Sequence, residues 1–422
     1  MEVKPGYKQT EVGVIPDEWI VSTVGQLIVD GLIEKPLDGN HGNIHPKSGD
    51  FVDSGIPFVM ANNVQEGGVD LVNCSFIRKQ QADSLQKGFS VTGDVLLTHK
   101  ATIGNTAIVG EIPYPYIMLT PQVTYYRVAD RTKLSNVYLR YYFDSASFQS
   151  VLRALSGGGT RAYIGISAQH KLPIVLPPSP TEQHAIAEVL SDVDGMLGGL
   201  DRLIAKKRDL KHAAMQKLIT GQTRLPGFNG KWHVKQLGRV LRFQVGFPFS
   251  SAFFNEKEQG IRLVKNRDLK SDDQVVHYSG NYESQFLVSN GDVLVGMDGD
   301  FLPCMWSKGL ALLNQRVGRI VPLSGLNRAF AFYFLKEPLK EIEVATASTT
   351  VKHLSHGDIE RIEKPLPDEA EQTAIAEVLT DMDAEIAALE RRRAKSRDLK
   401  QAMMQELLTG KTRLISPKQT HA

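Results

Sequence analysis

The sequence has few cysteines and no long apolar segment. Its 422 residues include only Cys74 and Cys304, which lie in different halves. Two such cysteines cannot form a disulfide framework, so a reducing cytoplasm is the expected compartment. No run of about 18 or more apolar residues occurs, and no membrane-spanning helix is expected. The first residues lack the apolar stretch of a secretory signal, so we expect neither export nor membrane association.

An excess of positive charge is also missing. Lysine and arginine number 49 and aspartate and glutamate 47, which gives a net charge of +2. Strong nucleic-acid binders are usually basic, and no segment of this chain is a basic block. Binding to DNA would therefore need positive charge that is local to the contact surface or supplied by partner subunits.

Motifs of the relevant enzyme classes are absent. Leu176-Pro-Pro-Ser179 lacks both flanking residues of the Asp/Asn-Pro-Pro-Tyr/Phe element of adenine methyltransferases. Gly410-Lys-Thr resembles the end of a phosphate-binding loop, but Gln405 replaces its first glycine and the segment ends a helix instead of opening one. His353 and His356 have no second cluster with which to bind a metal. We therefore expect no catalytic residue, no cofactor and no metal in this chain.

A long internal repeat is present. Residues 182–225 and 371–414 align at an offset of 189, and 27 of the 44 positions are identical. Apolar residues recur at alternating spacings of four and three, a heptad pattern that predicts helices packed on partner helices. We assign helix packing and partner docking to Ile186, Leu190, Val193, Leu197, Leu200, Ile204, Ile375, Leu379, Met382, Ile386 and Leu389.

Both repeat copies carry signals for where the helix stops. Prolines precede each copy, and Gly221 and Gly410 follow, where a left-handed C-terminal cap belongs. Gly195, Gly198 and Gly199 align with alanines in the second copy. We expect these small residues to permit close approach of two backbones; the alternative is that the glycines merely loosen the first helix.

The segments between the helices form a weaker repeat. Gly-Asp-Val-Leu occurs at 93–96 and again at 291–294, among short β-rich runs such as 123–128 and 316–321. Helical stretches are predicted near 135–154 and 327–343. The fold class is therefore α+β, with two pseudo-repeated mixed α/β domains joined by two long antiparallel coiled-coil helices. The predicted boundaries are 1–180, 181–225 (helix), 226–370, 371–414 (helix) and 415–422 (tail).

The order of these motifs resembles the DNA specificity subunit of type I restriction–modification systems over nearly the whole chain. The resemblance begins at 6–16 with Trp19 and recurs at 220–228 with Trp232. Its most specific element is a proline step into a helix that begins Glu-Gln-x-x-Ile-Ala, at 182–187 and 371–376. The first half departs from the pattern with Leu-Thr-Pro-Gln at 119–122, where the second half has Leu-Asn-Gln at 313–315.

The resemblance implies a non-catalytic role. Two target-recognition domains would each read one half of a split, asymmetric site in double-stranded DNA. The helices would fix the length of the gap between the two half-sites. Two methyltransferase subunits would dock on the chain, and restriction subunits with translocase activity would join them. S-adenosylmethionine, ATP and Mg²⁺ would be bound by those partners.

Candidate DNA contacts are polar and basic residues of the kinds that bind base edges and phosphates. In the first half they are Asn62, Asn63, His99, Lys100, Gln122, Arg127, Thr160, Arg161 and Tyr163. In the second half they are Arg262, Lys265, Asn266, Arg267, Asn314, Gln315, Arg316, Arg319, Thr349, Thr350 and Lys352. If Arg316 reads a guanine, its replacement by alanine relaxes one base position of the motif. The alternative interpretation is that these are ordinary solvated loop residues.

Three other functions remain open from the sequence. A fused restriction or methylation enzyme would need the motifs that are missing. A coiled-coil scaffold that binds only proteins accounts equally well for the two similar helices, and the near-neutral charge favours it slightly. An orphan specificity subunit without active partners has the same sequence features. The halves, which share a frame but differ between landmarks, favour DNA reading.

Overall fold

The computed structural model describes residues 4–65, 67–157, 162–346 and 353–415. Two compact units divide it: unit 1 contains Met1–Leu200 and Arg392–Ala422, and unit 2 contains Asp201–Arg391. The helices are α1 (Val24–Val29), α2 (Lys79–Asp83), α3 (Asn136–Asp144), α4 (Ala146–Leu155), α5 (Ile166–Gln169), α6 (Pro180–Ile219), α7 (Arg328–Phe334), α8 (Lys336–Ala345), α9 (His356–Glu360) and α10 (Glu369–Leu407). The helical stretches predicted near 135–154 and 327–343 are confirmed, each as two successive helices.

In the described part of unit 1 there are fifteen strands. They are β1 (Tyr7–Thr10), β2 (Gly13–Pro16), β3 (Ile20–Thr23), β4 (Leu37–Asp38), β5 (Phe51–Val52), β6 (Ile56–Val59), β7 (Val64–Gln65), β8 (Gly68–Val69), β9 (Ser75–Ile77), β10 (Phe89–Ser90), β11 (Val95–Lys100), β12 (Thr102–Ile108), β13 (Ile117–Leu119), β14 (Val123–Tyr126) and β15 (Pro173–Leu176). A five-stranded sheet has the order β10-β13-β6-β9-β5, and a four-stranded sheet has the order β12-β11-β14-β4. The remaining strands pair as β1-β2, β7-β8 and β15-β3.

Within the described residues, unit 2 contains eleven strands, which repeat the two larger sheets and the β3-β15 pair of unit 1. They are β16 (His233–Gln236), β17 (Leu241–Val245), β18 (Phe254–Asn255), β19 (Ile261–Val264), β20 (Val276–Tyr278), β21 (Leu287–Val288), β22 (Val293–Gly296), β23 (Pro303–Met305), β24 (Ala311–Leu313), β25 (Val317–Pro322) and β26 (Glu363–Leu366). The sheets β21-β24-β19-β20-β18 and β23-β22-β25-β17 match those of unit 1 strand for strand, and β16-β26 matches β3-β15. The predicted duplication of the globular halves is therefore confirmed at the level of topology.

The two long helices contribute one half each to both units. In unit 1 the start of α6 packs with the end of α10, where Leu190 and Leu407 share one apolar core. In unit 2 the end of α6 packs with the start of α10, where Ile219 and Ile375 share another. The helices run antiparallel within each unit. All eleven heptad residues named above are buried or half-buried in the structure.

The glutamine of the repeated Glu-Gln pair at the start of each long helix makes the same hydrogen bonds in both units. The Gln183 side chain accepts a hydrogen bond from Ser135 N–H and donates to the carbonyls of Lys133 and Pro177. Gln372 makes the equivalent bonds to Asn327, Gly325 and Pro367 in unit 2. Each buried amide thus satisfies backbone groups of the loop that leads into α3 or α7, which fixes the globular part of the unit to its long helix.

The glycines of the repeat behave differently from one another. Gly221 and Gly410 have φ angles of +70° and +68°, so the left-handed caps predicted after α6 and α10 are confirmed. The expected close approach at Gly195 and Gly199 is wrong, because within the described part of unit 1 a Cβ built on either glycine meets no atom within 4 Å. None of the helices in the described ranges is long and apolar enough to cross a membrane.

Candidate nucleic-acid interface

Two turns meet at one sheet edge in each unit because two neighbouring strands run parallel. In unit 1, β6 pairs with β13 in parallel, with Val59 opposite Leu119. In unit 2, β19 pairs with β24 in the same way, with Val264 opposite Leu313. The carboxyl ends of both strands therefore lie at the same edge, and the residues that follow them are neighbours. We call residues 120–122 and 314–316, which follow β13 and β24, the reader turns.

Both reader turns have the same backbone hydrogen bonds. Val123 N–H donates to Thr120 O at 3.2 Å, and Val317 N–H donates to Asn314 O at 2.9 Å. The carbonyl of Gln122 accepts from His99 N–H at 2.9 Å, and the carbonyl of Arg316 accepts from Met297 N–H at 3.0 Å. Gln122 and Arg316 therefore occupy one structural position at a sequence offset of 194.

A third chain segment completes each edge. Lys100 forms a β-bridge with Tyr163 in unit 1, and Asp298 forms the equivalent bridge with His353 in unit 2. The rings of Tyr163 and His353 are about half exposed, at 48% each. Lys100 is exposed and its Nζ lies 6.0 Å from the centre of the Tyr163 ring, within range of a weak cation–π contact. Each unit therefore presents an exposed ring beside a charged residue at this edge.

Charge at this edge is arranged differently in unit 2. Nη1 of Arg316 lies 2.9 and 3.1 Å from the two carboxylate oxygens of Asp298. Nδ1 of His353 lies 3.1 Å from Oδ1 of the same carboxylate. The Arg316 side chain is 57% exposed, so it remains accessible to a ligand while one nitrogen is held.

The turn after β6 or β19 borders the reader turn. Asn62 and Arg267 are exposed at equivalent positions, and Arg267 donates to the carbonyl of Gln274. Asn63, by contrast, is buried: its Oδ1 accepts from Met60 N–H, as Asp268 accepts from Lys265 N–H in unit 2. The expectation that Asn63 contacts DNA is therefore corrected, because its side chain closes the turn from inside.

Lys265, Asn266, Asn314 and Gln315 lie on the same edge of unit 2. Gln315 is exposed, whereas the other three are half-buried. Asn266 donates through Nδ2 to the carbonyl of Asp298 at 2.7 Å and so braces the neighbouring turn. Burial, together with nearby Arg267, lowers the pKa of Lys265.

His99 belongs to the interior of unit 1. It is 1% exposed; its Nε2 donates to the Pro121 carbonyl at 3.0 Å, and its Nδ1 accepts from the Gln169 amide at 2.7 Å. Burial lowers the pKa of His99 to about 4, so the ring is neutral at pH 7. The expected DNA contact is replaced by a positioning role, since His99 holds the reader turn through Pro121.

Three candidate arginines brace the sheets. Arg127 binds the buried Asp94 through Nε and Nη2, both at 2.8 Å. Arg319 donates to the Leu287 carbonyl at 2.7 Å and to the Gln244 amide oxygen at 2.6 Å. Arg262 is paired with Asp272 and stacks over the Trp306 ring. Their guanidinium groups are engaged within the fold, which argues against the base contacts that we expected of them.

Sequence reasoning missed two glycines behind the reader turns. A Cβ built on Gly39 would lie 1.9 Å from Leu119 O, and one on Gly246 would lie 2.2 Å from Asn314 O. Only glycine lets the backbone pass this close to the turn. Gly39 directly follows β4, and Gly246 directly follows β17. The sequence around the two glycines does not repeat, so no shared motif identified them.

The exposed Phe247 is a second omission. Its ring is 42% exposed, and its carbonyl accepts from Gln315 N–H at 3.1 Å. A cleft of about 440 Å³ opens beside Gln122 and Lys100 in unit 1, with His41 and His45 on its wall.

Five of the candidate DNA contacts lie outside the described residues: Thr160, Arg161, Thr349, Thr350 and Lys352. Within the described ranges, no cluster of three or more His, Cys, Asp or Glu side chains could hold a metal ion.

Relatives of this chain share one description. The family model of the type I restriction modification DNA specificity domain matches twice, at residues 29–202 and 229–396. The Escherichia coli type I restriction enzyme EcoBI specificity subunit is 34% identical over 192 residues, which are 44% of this chain and 40% of that subunit. The MjaVIII specificity subunit of Methanocaldococcus jannaschii is 23% identical over 438 residues, covering 95% of this chain and 94% of its own length.

Solved structures support the same fold. The S subunit of a type I restriction–modification system from M. genitalium aligns with a TM-score of 0.59 at 15% identity, over 96% of this chain and 98% of that one. A second chain, from another solved type I system, aligns with a TM-score of 0.59 at 17% identity, over 94% and 99% of the two chains. Because the family model covers both halves, the chain belongs to the family of type I restriction–modification DNA specificity subunits.

Proposed function

We propose that this specificity subunit reads a bipartite, asymmetric site in double-stranded DNA and performs no chemistry itself. The observation that carries the proposal is the pair of reader turns: one backbone frame, repeated in both units, presents Gln122 in one and Arg316 in the other. A frame that is kept while the side chain at an equivalent position differs is what two recognition domains need in order to read two different half-sites.

We also propose that the long helices set the gap between the half-sites. α6 and α10 each contribute residues to both units, and 27 of their 44 repeated positions are identical. A continuous helix rises about 1.5 Å per residue, so its length determines a spacing that does not vary with the reading residues.

Two equivalent leucines support docking of two identical methyltransferase subunits. The sequence Arg-Asp-Leu-Lys occurs at 208–211 in α6 and at 397–400 in α10. Leu210 is 48% exposed and Leu399 is 54% exposed, and within the described residues each is the most exposed large apolar residue of its helix. Two identical exposed segments fit two copies of one partner.

The partners supply the chemistry in this proposal. S-adenosylmethionine would be bound by the methyltransferase subunits, and ATP and Mg²⁺ by restriction subunits with translocase activity. The chain contributes binding energy and positions the target adenine, as a substrate-positioning subunit does.

The decisive experiment is a genome-wide map of N6-methyladenine in the source cell, with and without this gene. We expect a split, asymmetric motif that disappears on deletion and returns with the complementing gene. A contiguous motif would contradict the two-unit reading. An unchanged map, in cells whose methyltransferase subunit is expressed, would contradict the proposal as a whole.

A further inference from the structure

The two reader turns differ in the residue at one equivalent position, which is Gln122 in unit 1 and Arg316 in unit 2. We propose that Gln122 reads an adenine in the half-site of unit 1 and that Arg316 reads a guanine in the half-site of unit 2. The inference rests on the proposed function and adds to it the residues and bases that distinguish the two half-sites.

The first step is that the two side chains leave the backbone from one place. Thr120 N–H donates to Val59 O at 3.0 Å, and Asn314 N–H donates to Val264 O at 3.3 Å. These bonds seat both turns identically on the preceding strand pair. A base that occupies the same place relative to the turn in either unit would therefore meet Gln122 in unit 1 and Arg316 in unit 2.

The second step concerns Arg316. Asp298 holds Nη1 with both carboxylate oxygens, and within the described residues Nε and Nη2 of Arg316 have no partner. A guanidinium that is oriented at one nitrogen and open on its other edge matches the O6 and N7 acceptors of guanine. His353 Nδ1 contacts Oδ1 of the same carboxylate and so helps to hold Asp298 in place.

The third step concerns Gln122. Its Oε1 accepts a hydrogen bond from Ala61 N–H at 3.3 Å, which orients the amide without a carboxylate. An oriented amide can donate to N7 of adenine and accept from its N6 amino group. Lys100 occupies the position in unit 1 that Asp298 occupies in unit 2. Unit 1 therefore has a lysine in place of the carboxylate that holds Arg316 in unit 2. Each reader residue is thus matched to its own neighbour.

The test is an exchange of readers in the complete complex with its methyltransferase subunits. The double variant Lys100→Asp/Gln122→Arg transfers the unit 2 pair into unit 1, and Asp298→Lys/Arg316→Gln does the reverse. Motifs are read from methylated genomic DNA. We expect one adenine of the first half-site to become guanine, and one guanine of the second to become adenine, with all other positions unchanged.

Single variants keep the test informative if an exchanged complex is inactive. Gln122→Ala and Arg316→Ala should each relax one base position, with discrimination there falling roughly 10- to 100-fold. Gln26→Arg on α1 and Arg239→Gln before β17 are matched charge controls on exposed residues outside the segments that form the edge, and they should retain the original motif.

The outcomes separate this inference from the proposed function. Full discrimination at every position in both alanine variants would overturn the assignment of readers while the chain still specified DNA. Exchange to a base other than the one named would overturn the assigned bases. If the wild-type complex itself yields no motif, the proposed function fails instead.

Discussion

Arg413 binds both carboxylate oxygens of the buried Glu182, with Nη2 2.8 Å from Oε2. The pair connects the segment after α10 to the start of α6 inside unit 1. Arg224 makes the same two contacts with Glu371 in unit 2, so the end of each long helix is fastened to the beginning of the other. The Thr-Gly-x-Thr-Arg and Glu-Gln elements that both repeat copies share thus supply the two partners of one ion pair in each unit.

Removal of the arginine should destabilise its unit. Arg413→Ala leaves the Glu182 carboxylate buried without its cation, and breaking such a pair typically costs about 3–5 kcal/mol. We expect a lower thermal midpoint and faster hydrogen exchange at the start of α6, while exchange in unit 2 is unaffected. Lys79→Ala, which removes only an exposed pair with Asp83, is the control. Unaltered exchange around residue 182 would show that the pair contributes nothing.

His99 should make the stability of unit 1 depend on pH. Its pKa in the folded protein is about 4, below the ordinary value of 6.5, so the unfolded chain binds the proton more readily. As the pH falls from about 6.5 to 4, the free energy of unfolding should therefore decrease by about 3 kcal/mol. His99→Gln keeps a polar side chain without titration, and its thermal midpoint should vary less between pH 7 and 5. Equal slopes for both proteins would contradict this account.

The close-packed glycines should tolerate no side chain. In Gly246→Ala, the new methyl group would overlap the Asn314 carbonyl at 2.2 Å, so the reader turn of unit 2 must move. We expect weaker specificity for the second half-site together with a lower thermal midpoint. Gly39→Ala should affect the first half-site in the same way. Gly110→Ala, where a Cβ meets no atom within 4 Å, should behave like wild type. A Gly246→Ala protein with the original motif and midpoint would count against the importance of this close approach.

The exposed leucines should affect assembly without affecting the fold. Leu210→Asp and Leu399→Asp place a charge on already exposed positions, so the thermal midpoint of the isolated chain should change little. Each single variant should bind one methyltransferase fewer, and the double variant none, as counted by native mass spectrometry. Leu155→Asp and Leu323→Asp, at comparably exposed leucines, serve as controls. A double variant that retains two methyltransferases would place the docking surface elsewhere.

The helices could be predicted because their signal is local. A heptad pattern depends only on residues one or two turns apart, and Leu190 and Leu379 follow it into the core. The sheets required more, since short strands gain their identity from partners far away in sequence. Their duplication was nevertheless visible in the Gly-Asp-Val-Leu repeat, where Asp94 and Asp292 close equivalent turns.

The candidate contacts could be predicted only in part, because residue type does not determine which side of a sheet a residue occupies. Gln122 and Arg316 were identified from chemistry, and each lies in the reader turn of its own unit. Arg319 has the same chemistry, but the register of β25 directs it towards Gln244 and Leu287. Asp298 was missed because a carboxylate does not suggest DNA binding until the arginine that it orients is known.

The ion pairs that fasten the helix ends have a topological consequence. Gly221 and Trp232 of unit 2 are adjacent in space and joined by a short stretch of chain, whereas their equivalents Gly410 and Trp19 are adjacent in space without being joined. Each unit therefore contains the same junction, which a short stretch of chain crosses in unit 2 and leaves open in unit 1. A gene that opened the chain between residues 221 and 232, and joined residue 413 to residue 7, would encode the same two units in the opposite order.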